Sequence, residues 1–211
     1  MTVRRLFADP GNPDGPALEE AARIIRAGGL VGIPTETFYA LAADGLDREA
    51  VARVLSAKGR EERKPTGLLL SGVEMLERVA ENIPDAARIL MKRFWPGPLS
   101  LIFPGWPDLP PGVLGEGHGV SARAPGSAVA LEIVRLAGRP VTATSANRAG
   151  ENPPRTADDV ERLLGDLLDA VLDAGETPGG SPSTLVDVRG EKPILIREGE
   201  IPWEVVISGL K

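Results

Sequence analysis

The sequence from Leu30 to Arg60, LVGIPTETFYALAADGLDREAVARVLSAKGR, decides the fold class. Its first four residues form a short apolar run that is typical of a buried strand, and Pro34 ends the run because proline donates no ladder hydrogen bond. The next five residues, 35–39, are expected to form a turn. They bring hydroxyls, a carboxylate and two aromatic rings to a strand end, which is where open α/β sheets bind ligands.

The second half of this stretch predicts a helix over residues 48–57. Val51, Val54 and Leu55 recur at helical spacing and form one apolar stripe. The pattern stops at Lys58-Gly59-Arg60, so two cations are expected beside a glycine hinge. Because both lie beyond the apolar stripe, we expect them to contact a ligand and not to support the fold.

The rest of the chain alternates strand-like and helix-like segments without internal repeats. Strands are predicted at 68–70, 99–103, 119–125, 140–144, 171–173, 184–188 and 194–199, and helices at 17–27, 73–80, 84–94, 128–136 and 157–168. This alternation predicts an α/β fold with a mixed sheet. The Pro- and Gly-rich segment 104–119 is a candidate lid. We expect a single domain over 1–211, with a core at about 17–201 and a short C-terminal tail at 202–211.

Composition limits the classes of function. The 211 residues are 42% hydrophobic and 26% charged, as in an ordinary soluble globular protein. No apolar run approaches the ~20 residues that span a bilayer, and no signal peptide is evident, so a cytoplasmic protein without a membrane partner is expected. With no cysteine and one histidine, thiolate and multi-histidine metal sites are excluded, and any metal would be oxygen-bound, as Mg²⁺ is. The net charge of −6 argues against extensive wrapping of nucleic acid but allows a local basic pocket.

Four cations lie at predicted element ends: Lys58, Arg60, Arg123 and Arg197. Each stands beside glycine, proline or a hydroxyl residue, where a cation can meet the phosphate or carboxylate of a ligand. The alternative for each is a surface ion pair with one of the 30 acidic residues. Together, they favour a small anionic ligand.

Three polar residues, Ser145, Asn147 and Ser183, have two interpretations. They could bind a ligand, or they could cap turns by bonding the neighbouring backbone. Neither G-x-G-x-x-G after a strand nor G-x-x-x-x-G-K-[ST] is present, so neither a Rossmann nor a P-loop nucleotide site is predicted.

An ordered set of motifs resembles the YrdC/TsaC family, the threonylcarbamoyl-AMP synthases. The motifs are Pro34-Thr35-Glu36-Thr37-x-Tyr39, Lys58-Gly59-Arg60, Phe94-Trp95-Pro96-Gly97-Pro98-Leu99, Arg123-x-Pro125, Ser145-Ala146-Asn147, Pro182-Ser183-Thr184 and Arg197-Glu198-Gly199. The resemblance runs from about residue 17 to residue 201. It implies a twisted mixed β-sheet with flanking helices around a basic concave cavity.

The resemblance also implies a reaction. L-threonine, bicarbonate or CO₂, and ATP with Mg²⁺ would give threonylcarbamoyl-AMP and pyrophosphate. This nucleotidyl transfer would supply a separate transferase system that makes threonylcarbamoyladenosine in tRNA, and contact with tRNA or double-stranded RNA is a further expectation.

The site residues are implied motif by motif. Those implied to bind threonine are Thr37, Arg123 and Ser183. Those implied to bind ATP are Lys58, Arg60, Lys64, Ser145, Asn147 and Arg197, with Lys58 and Arg60 as the catalytic pair. No protein ligand for the metal is implied, since Mg²⁺ would arrive with ATP.

The chain departs from the family pattern at several positions. Ala40 and Ala42 replace usual glycines, Glu61 replaces a usual proline, and Leu69 stands where many members have a histidine. The Tyr39-Ala40-Leu41 sequence is similar to the YciO branch. Two alternatives therefore stand beside the synthase: a YciO-like protein that binds nucleotide or RNA without efficient synthesis, and an RNA-binding module.

Overall fold

A ten-stranded sheet runs through the part of the chain that the structure, a computed structural model, describes: residues 3–59 and 65–210. Its strands are β1 (Arg4–Phe7), β2 (Val31–Pro34), β3 (Tyr39–Ala42), β4 (Gly67–Leu69), β5 (Leu99–Pro104), β6 (Gly119–Arg123), β7 (Val141–Ser145), β8 (Ala170–Asp173), β9 (Thr184–Asp187) and β10 (Ile194–Arg197). Their spatial order is β1-β8-β2-β3-β7-β4-β6-β5-β9-β10.

The sheet is mixed. The β1/β8, β2/β8, β4/β6 and β5/β9 pairs are parallel, whereas the remaining neighbours are antiparallel. The predicted α/β class with a mixed sheet is therefore confirmed.

The α-helices lie between the strands in sequence. They are α1 (Pro16–Arg26), α2 (Arg48–Lys58), α3 (Asp85–Phe94), α4 (Ala128–Ala137), α5 (Ala157–Leu164) and α6 (Trp203–Ser208). Short 3₁₀ helices occur at Val73–Arg78, Glu116–His118 and Gly165–Leu167. Among the described helices, none has the length and apolar character needed to cross a bilayer.

The central strands β2 and β3 are buried on both faces. All residues of both strands are buried, and alternate residues enter different apolar clusters: Ile33 and Ala40 join one, Tyr39 and Leu41 the other. Because side chains alternate across a strand, a sheet covered on both faces requires a continuous apolar sequence. This explains why the run at residues 30–33 lacks alternating polarity.

Helix α2 begins at the predicted Arg48 and ends at Lys58, one residue beyond the predicted end. The Asp47 side chain accepts hydrogen bonds from the backbone N–H of Glu49 and Ala50, which satisfies donors of the first turn. Gly59 has φ 60° at the C-terminal end, a left-handed conformation that glycine adopts without steric cost. The hinge at residue 59 is therefore a helix C-cap.

Several predicted elements differ in the structure. Tyr39, expected to end the turn 35–39, begins β3, which runs to Ala42 and pairs antiparallel with β2; no strand was predicted there. The predicted helix at 73–80 is 3₁₀ in the structure, and the one at 157–168 is α-helical only to Leu164. The segment 202–211, expected as a tail, contains α6, whose Val206 is buried in the core. Strand β1, which the apolar pattern did not indicate, pairs with β8 at one edge of the sheet.

The departures at Ala40 and Ala42 fit the strand that contains them. Both lie in β3, and neither has a positive φ. Glycine's conformational freedom is therefore not needed there. Leu69 is fully buried in the core and lies in register with Arg123 on β6. Glu61 lies outside the described residues.

Candidate active site

A cavity of about 600 Å³ lies over the part of the sheet that runs from β3 to the edge strand β10. Residues of β3 to β7, β9 and β10 line it, together with the turn before β3 and the segment before β9. The predicted site residues among its lining come from five separate segments: Thr37, Arg123, Ser145, Ser183 and Arg197. The fold therefore brings together residues that are up to 160 positions apart in sequence.

The turn between β2 and β3 is fixed by its own hydroxyls. Thr35 donates from Oγ1 to the carbonyl of Phe38 at 2.7 Å, and its backbone N–H donates to the same carbonyl at 3.2 Å. Thr37 Oγ1 lies 3.3 Å from Thr35 Oγ1, and the Thr37 carbonyl accepts from the N–H of Gly179 at 2.8 Å. Thr37 is thus held at the cavity by contacts on both sides of the turn.

Lys58 is buried, with 1% of its surface exposed. Its ammonium donates to the Ser145 carbonyl at 2.5 Å, to Ser145 Oγ at 3.2 Å and to Asn147 Oδ1 at 2.9 Å. The expectation that this lysine does not support the fold is therefore wrong. It holds Ser145, the last residue of β7, and Asn147 just after it; Ser145 lines the cavity, whereas Lys58 does not.

Asn147 completes this segment. Its amide nitrogen donates to the carbonyls of Arg148 at 3.1 Å and Glu151 at 2.6 Å, while its oxygen accepts from Lys58. Asn147 is 5% exposed, and it is not among the residues that line the cavity. Of the two interpretations given to this asparagine, the observed geometry is the one in which its side chain bonds the neighbouring backbone.

Arg123 ends β6 and lines the cavity with 8% of its surface exposed. Burial lowers the pKa of Arg123, and the Glu36 carboxylate, which forms an ion pair with Nη1, opposes this shift. Because Arg123 is already largely removed from water, it can bind a ligand carboxylate at little further cost in hydration.

Ser183 and Arg197 lie together at the other side of the cavity. The Ser183 hydroxyl is 2.9 Å from the hydroxyl of Ser100 on β5, and Arg197 donates from Nη2 to the Ser183 carbonyl at 2.8 Å. This arrangement leaves Arg197 exposed on the edge strand β10. Arg60 and Lys64, the other two predicted ATP ligands, lie outside the described residues.

Sequence reasoning missed an ion pair inside the cavity. Arg189 pairs with Asp187 through Nε and Nη2, at 2.7 to 3.1 Å, and this contact lowers the pKa of the Asp187 carboxyl. Arg189 also donates from Nη1 to the carbonyls of Glu116 and Gly117, at 2.8 and 2.9 Å. It therefore fastens the segment 104–119, the candidate lid, to the end of β9. The spacing Asp-x-Arg after a strand was the available signal, but it is common in surface turns.

The charges around the cavity are mixed. The charged residues among the described lining are three arginines and two acids, which leaves a small positive excess: Arg123, Arg189, Arg197, Glu116 and Asp187. Two further predicted cations, Arg60 and Lys64, belong to residues that the structure does not describe. The same described part of the chain contains no cluster of three or more histidine, cysteine or acidic residues that could hold a metal ion.

Tyr39, the only tyrosine of the chain, offers a direct test of the packing behind the cavity. Burial, with a smaller contribution from Asp173, raises the pKa of its phenol to about 12, and its hydroxyl donates to the Gly175 carbonyl at 2.8 Å. Because the folded protein favours the protonated phenol, this contribution to stability is complete below pH ~10 and is lost as the pH rises toward 12. Ultraviolet difference absorbance should give a tyrosinate midpoint of about 12 in the native protein.

The control for this titration is the unfolded chain, in which the midpoint should return to ~10. Tyr39→Phe should abolish the absorbance change. A native midpoint near 10 would contradict the buried, hydrogen-bonded phenol.

A model of the Sua5_yciO_yrdC family, described as telomere recombination, matches residues 23–199. The chain belongs to this family. Among its members, the threonylcarbamoyl-AMP synthase of Pyrococcus abyssi is 40% identical over 186 residues, which cover 88% of this chain and 55% of that protein. The threonylcarbamoyl-AMP synthase of Bacillus subtilis is 35% identical over 210 residues, which cover 98% of this chain and 61% of that protein. The chain thus spans a little over half the length of these two relatives.

Solved structures of the Sua5/YciO/YrdC family have the same architecture. The crystal structure of P. abyssi Sua5 complexed with L-threonine superimposes with a TM-score of 0.89 at 35% identity, covering 99% of this chain and 61% of that one. Escherichia coli YciO gives a TM-score of 0.85 at 23% identity, covering 98% of this chain and all of that one. The second likeness shows a common fold alone.

Proposed function

We propose that this chain is a threonylcarbamoyl-AMP synthase, a nucleotidyltransferase that converts L-threonine, bicarbonate or CO₂, and ATP to threonylcarbamoyl-AMP and pyrophosphate. One observation carries the proposal: Thr37, Arg123, Ser145, Ser183 and Arg197, all implied by family motifs, line one cavity of about 600 Å³. That volume suits a small-molecule site. The similarity to proteins that are named for this activity, and to a relative crystallised with L-threonine, supports the same reaction.

Threonine recognition in this proposal uses three side chains. Arg123 binds the α-carboxylate through its planar guanidinium, and the hydroxyls of Thr37 and Ser183 bond the remaining polar groups. The two hydroxyls can each donate and accept, so they suit a substrate that has both an amino group and a hydroxyl. Ser100 supports Ser183 through the contact of 2.9 Å between their hydroxyls.

ATP recognition uses a second set of residues. Ser145 and Arg197 contact the nucleotide from the described part of the cavity, and Arg60 and Lys64 contact the phosphates. Lys58, which is expected to contact ATP together with Arg60, also has a supporting part. Because its ammonium bonds Ser145 and Asn147, it holds the segment that carries the nucleotide contact.

The reaction needs no nucleophile from the protein. The protein must instead align the carboxylated threonine with the α-phosphate of ATP. The threonine nitrogen attacks the carbon of CO₂ and loses a proton, which gives an N-carboxylate. One oxygen of that carboxylate then attacks the α-phosphorus of ATP, and the bond from this phosphorus to the bridging oxygen breaks to release pyrophosphate. Arginine and lysine can stabilise the charge that spreads over the phosphoryl oxygens.

Mg²⁺ belongs to this proposal as the partner of ATP. The described residues contain no cluster of metal-ligating side chains, so phosphate oxygens and water would supply most of its coordination. When bound, the ion would neutralise phosphate charge and help pyrophosphate to leave.

The product would be consumed elsewhere. A carboxylic-phosphoric anhydride such as threonylcarbamoyl-AMP is an activated acyl group, so a separate threonylcarbamoyl transferase acting on tRNA must accept it. The net charge of −6 does not favour direct contact of this chain with tRNA or double-stranded RNA, so any such contact would use a local basic surface.

The test is an assay of pyrophosphate release with ATP, Mg²⁺, bicarbonate and threonine, together with detection of the adenylate by mass. Release must depend on both threonine and bicarbonate. Binding of ATP without threonine-dependent release would favour the YciO-like alternative. RNA binding that weakens steeply with salt, without any ATP consumption, would favour the RNA-binding module.

Threonine should be preferred over valine, its near-isostere without the hydroxyl. A site that bonds a substrate hydroxyl leaves its own polar groups unpaired when valine enters, so kcat/KM should fall by roughly 100-fold or more. Serine, which keeps the hydroxyl, is the matched control and should compete better than valine. Equal turnover of valine and threonine would remove the argument for threonine as substrate.

A further inference from the structure

Glu36 lies in the turn before β3 and forms the ion pair with Arg123 across 87 positions of sequence. The side chains of Arg123 and Glu36 are 10% and 17% exposed, so both are largely removed from water. The second oxygen of Glu36, Oε2, is buried and has no hydrogen-bond partner, the only such side-chain atom among the described residues. A carboxylate left partly unsatisfied in the protein calls for a physical reason.

Arg123 uses only part of its guanidinium in this pair. Nη1 donates to Glu36, whereas neither Nε nor Nη2 makes a hydrogen bond within the described residues. Arg123 lines the cavity and Glu36 does not. The carboxylate therefore occupies one nitrogen of the guanidinium and leaves Nε and Nη2 as donors for a ligand.

We propose that Glu36 is a positioning residue that orients Arg123 to bind the α-carboxylate of the amino-acid substrate. This inference rests on the proposed function and deepens it. A guanidinium presents its donors in a rigid plane, so a carboxylate can bond two of them only when that plane is correctly rotated. A single ion pair at Nη1 restrains the rotation, and the charge of Glu36 offsets the cost of keeping Arg123 charged while buried.

The surroundings of Glu36 limit its freedom. A side-chain carbon added at Gly126 would make ordinary van der Waals contact with Glu36, at 3.7 Å from Cγ and 3.8 Å from Cδ, so the carboxylate arm lies beside the segment after β6. Its backbone lies between Thr35 and Thr37, in the turn that is fixed by hydroxyl contacts. Glu36 thus links the turn that contains Thr37 to the strand that contains Arg123. Through this link, it can position both of these predicted threonine-binding residues.

The experiment compares threonine with threoninamide, in which a neutral amide replaces the α-carboxylate. Dissociation constants of both are measured by calorimetry for the full chain and for Glu36→Ala, Glu36→Gln and Glu132→Ala. Glu132 pairs with Arg135 on α4 outside the cavity lining, so its variant is the matched control for loss of an ion pair. The readout is the ratio of the two dissociation constants, which a general loss of folded protein does not move.

The proposal predicts a selective loss of carboxylate recognition. In the wild type, threonine should bind at least ~10-fold more tightly than threoninamide, since a charge-assisted pair is lost in the amide. Glu36→Ala should reduce this ratio to nearly one, by weakening threonine much more than threoninamide. Glu36→Gln keeps an oxygen that can accept from Nη1 and should recover part of the ratio, and Glu132→Ala should leave it unchanged.

Each outcome has a distinct meaning. An unchanged ratio in folded Glu36→Ala, with both ligands weakened equally or not at all, would overturn the positioning role. Equal binding of threonine and threoninamide by the wild type would instead count against the threonine site at Arg123, and thus against the proposed function. If Glu36→Ala does not fold, the nearly isosteric Glu36→Gln decides: a ratio equal to that of the wild type, together with unchanged kcat and KM, would overturn the requirement for the carboxylate charge.

Discussion

Arg123→Leu is expected to reduce threonine-dependent pyrophosphate release by at least roughly 100-fold, the largest effect of any single change in the described cavity. The substitution removes the cation that is proposed to bind the substrate carboxylate. It also leaves the largely buried carboxylate of Glu36 without its partner. Removing one partner of a buried ion pair costs about 3 to 5 kcal/mol, so the free energy of unfolding should fall as well.

A double variant separates these two effects. In Arg123→Leu with Glu36→Leu, both charges are replaced by apolar groups, which is often neutral for stability. Denaturant unfolding should therefore recover much of the lost stability, whereas pyrophosphate release should stay low. Recovery of synthesis in the double variant would show that Arg123 acts only through the fold.

Lys58→Ala should lower both the stability and the rate of synthesis. The lysine ends α2, and its buried ammonium bonds the Ser145 carbonyl and the Asn147 side chain. Hydrogen bonds to a charged group contribute about 1.5 to 3 kcal/mol, and their loss would free the segment that is proposed to contact ATP. Unfolding in urea measures the first effect, and the KM for ATP measures the second.

Two controls make the result specific. Lys58→Met keeps most of the apolar stem, so a similar loss in both variants assigns the effect to the ammonium. Lys92→Ala removes an exposed lysine of α3 and should change stability by no more than ~0.5 kcal/mol. Normal stability of Lys58→Ala would contradict the structural role, and normal synthesis would contradict any role in the site.

The sequence by itself determined the elements that local pattern specifies. The apolar run at 30–33 and the stripe of Val51, Val54 and Leu55 correspond to β2 and α2, with their ends at the predicted proline and glycine. These signals were readable because burial on one or both faces imposes a period on neighbouring residues. Weaker patterns failed: β1 and β3 form strands partly through pairing with distant segments, β1 with β8 and β3 with β7, although β3 also pairs with its neighbour in sequence, β2.

For the candidate site, the ordered motifs named the residues, and the tertiary structure decided what each one contacts. Lys58 and Arg123 have the same sequence signal, a cation at an element end. One is buried against Ser145, and the other lines the cavity with Glu36 beside it. The pairs Glu36–Arg123 and Lys58–Ser145 each join positions 87 residues apart, and the direction of a side chain at an element end depends on packing that local periodicity does not encode. Sequence therefore indicated the candidate residues, and only the fold determined which charges are paired among the described residues and which of these side chains line the cavity.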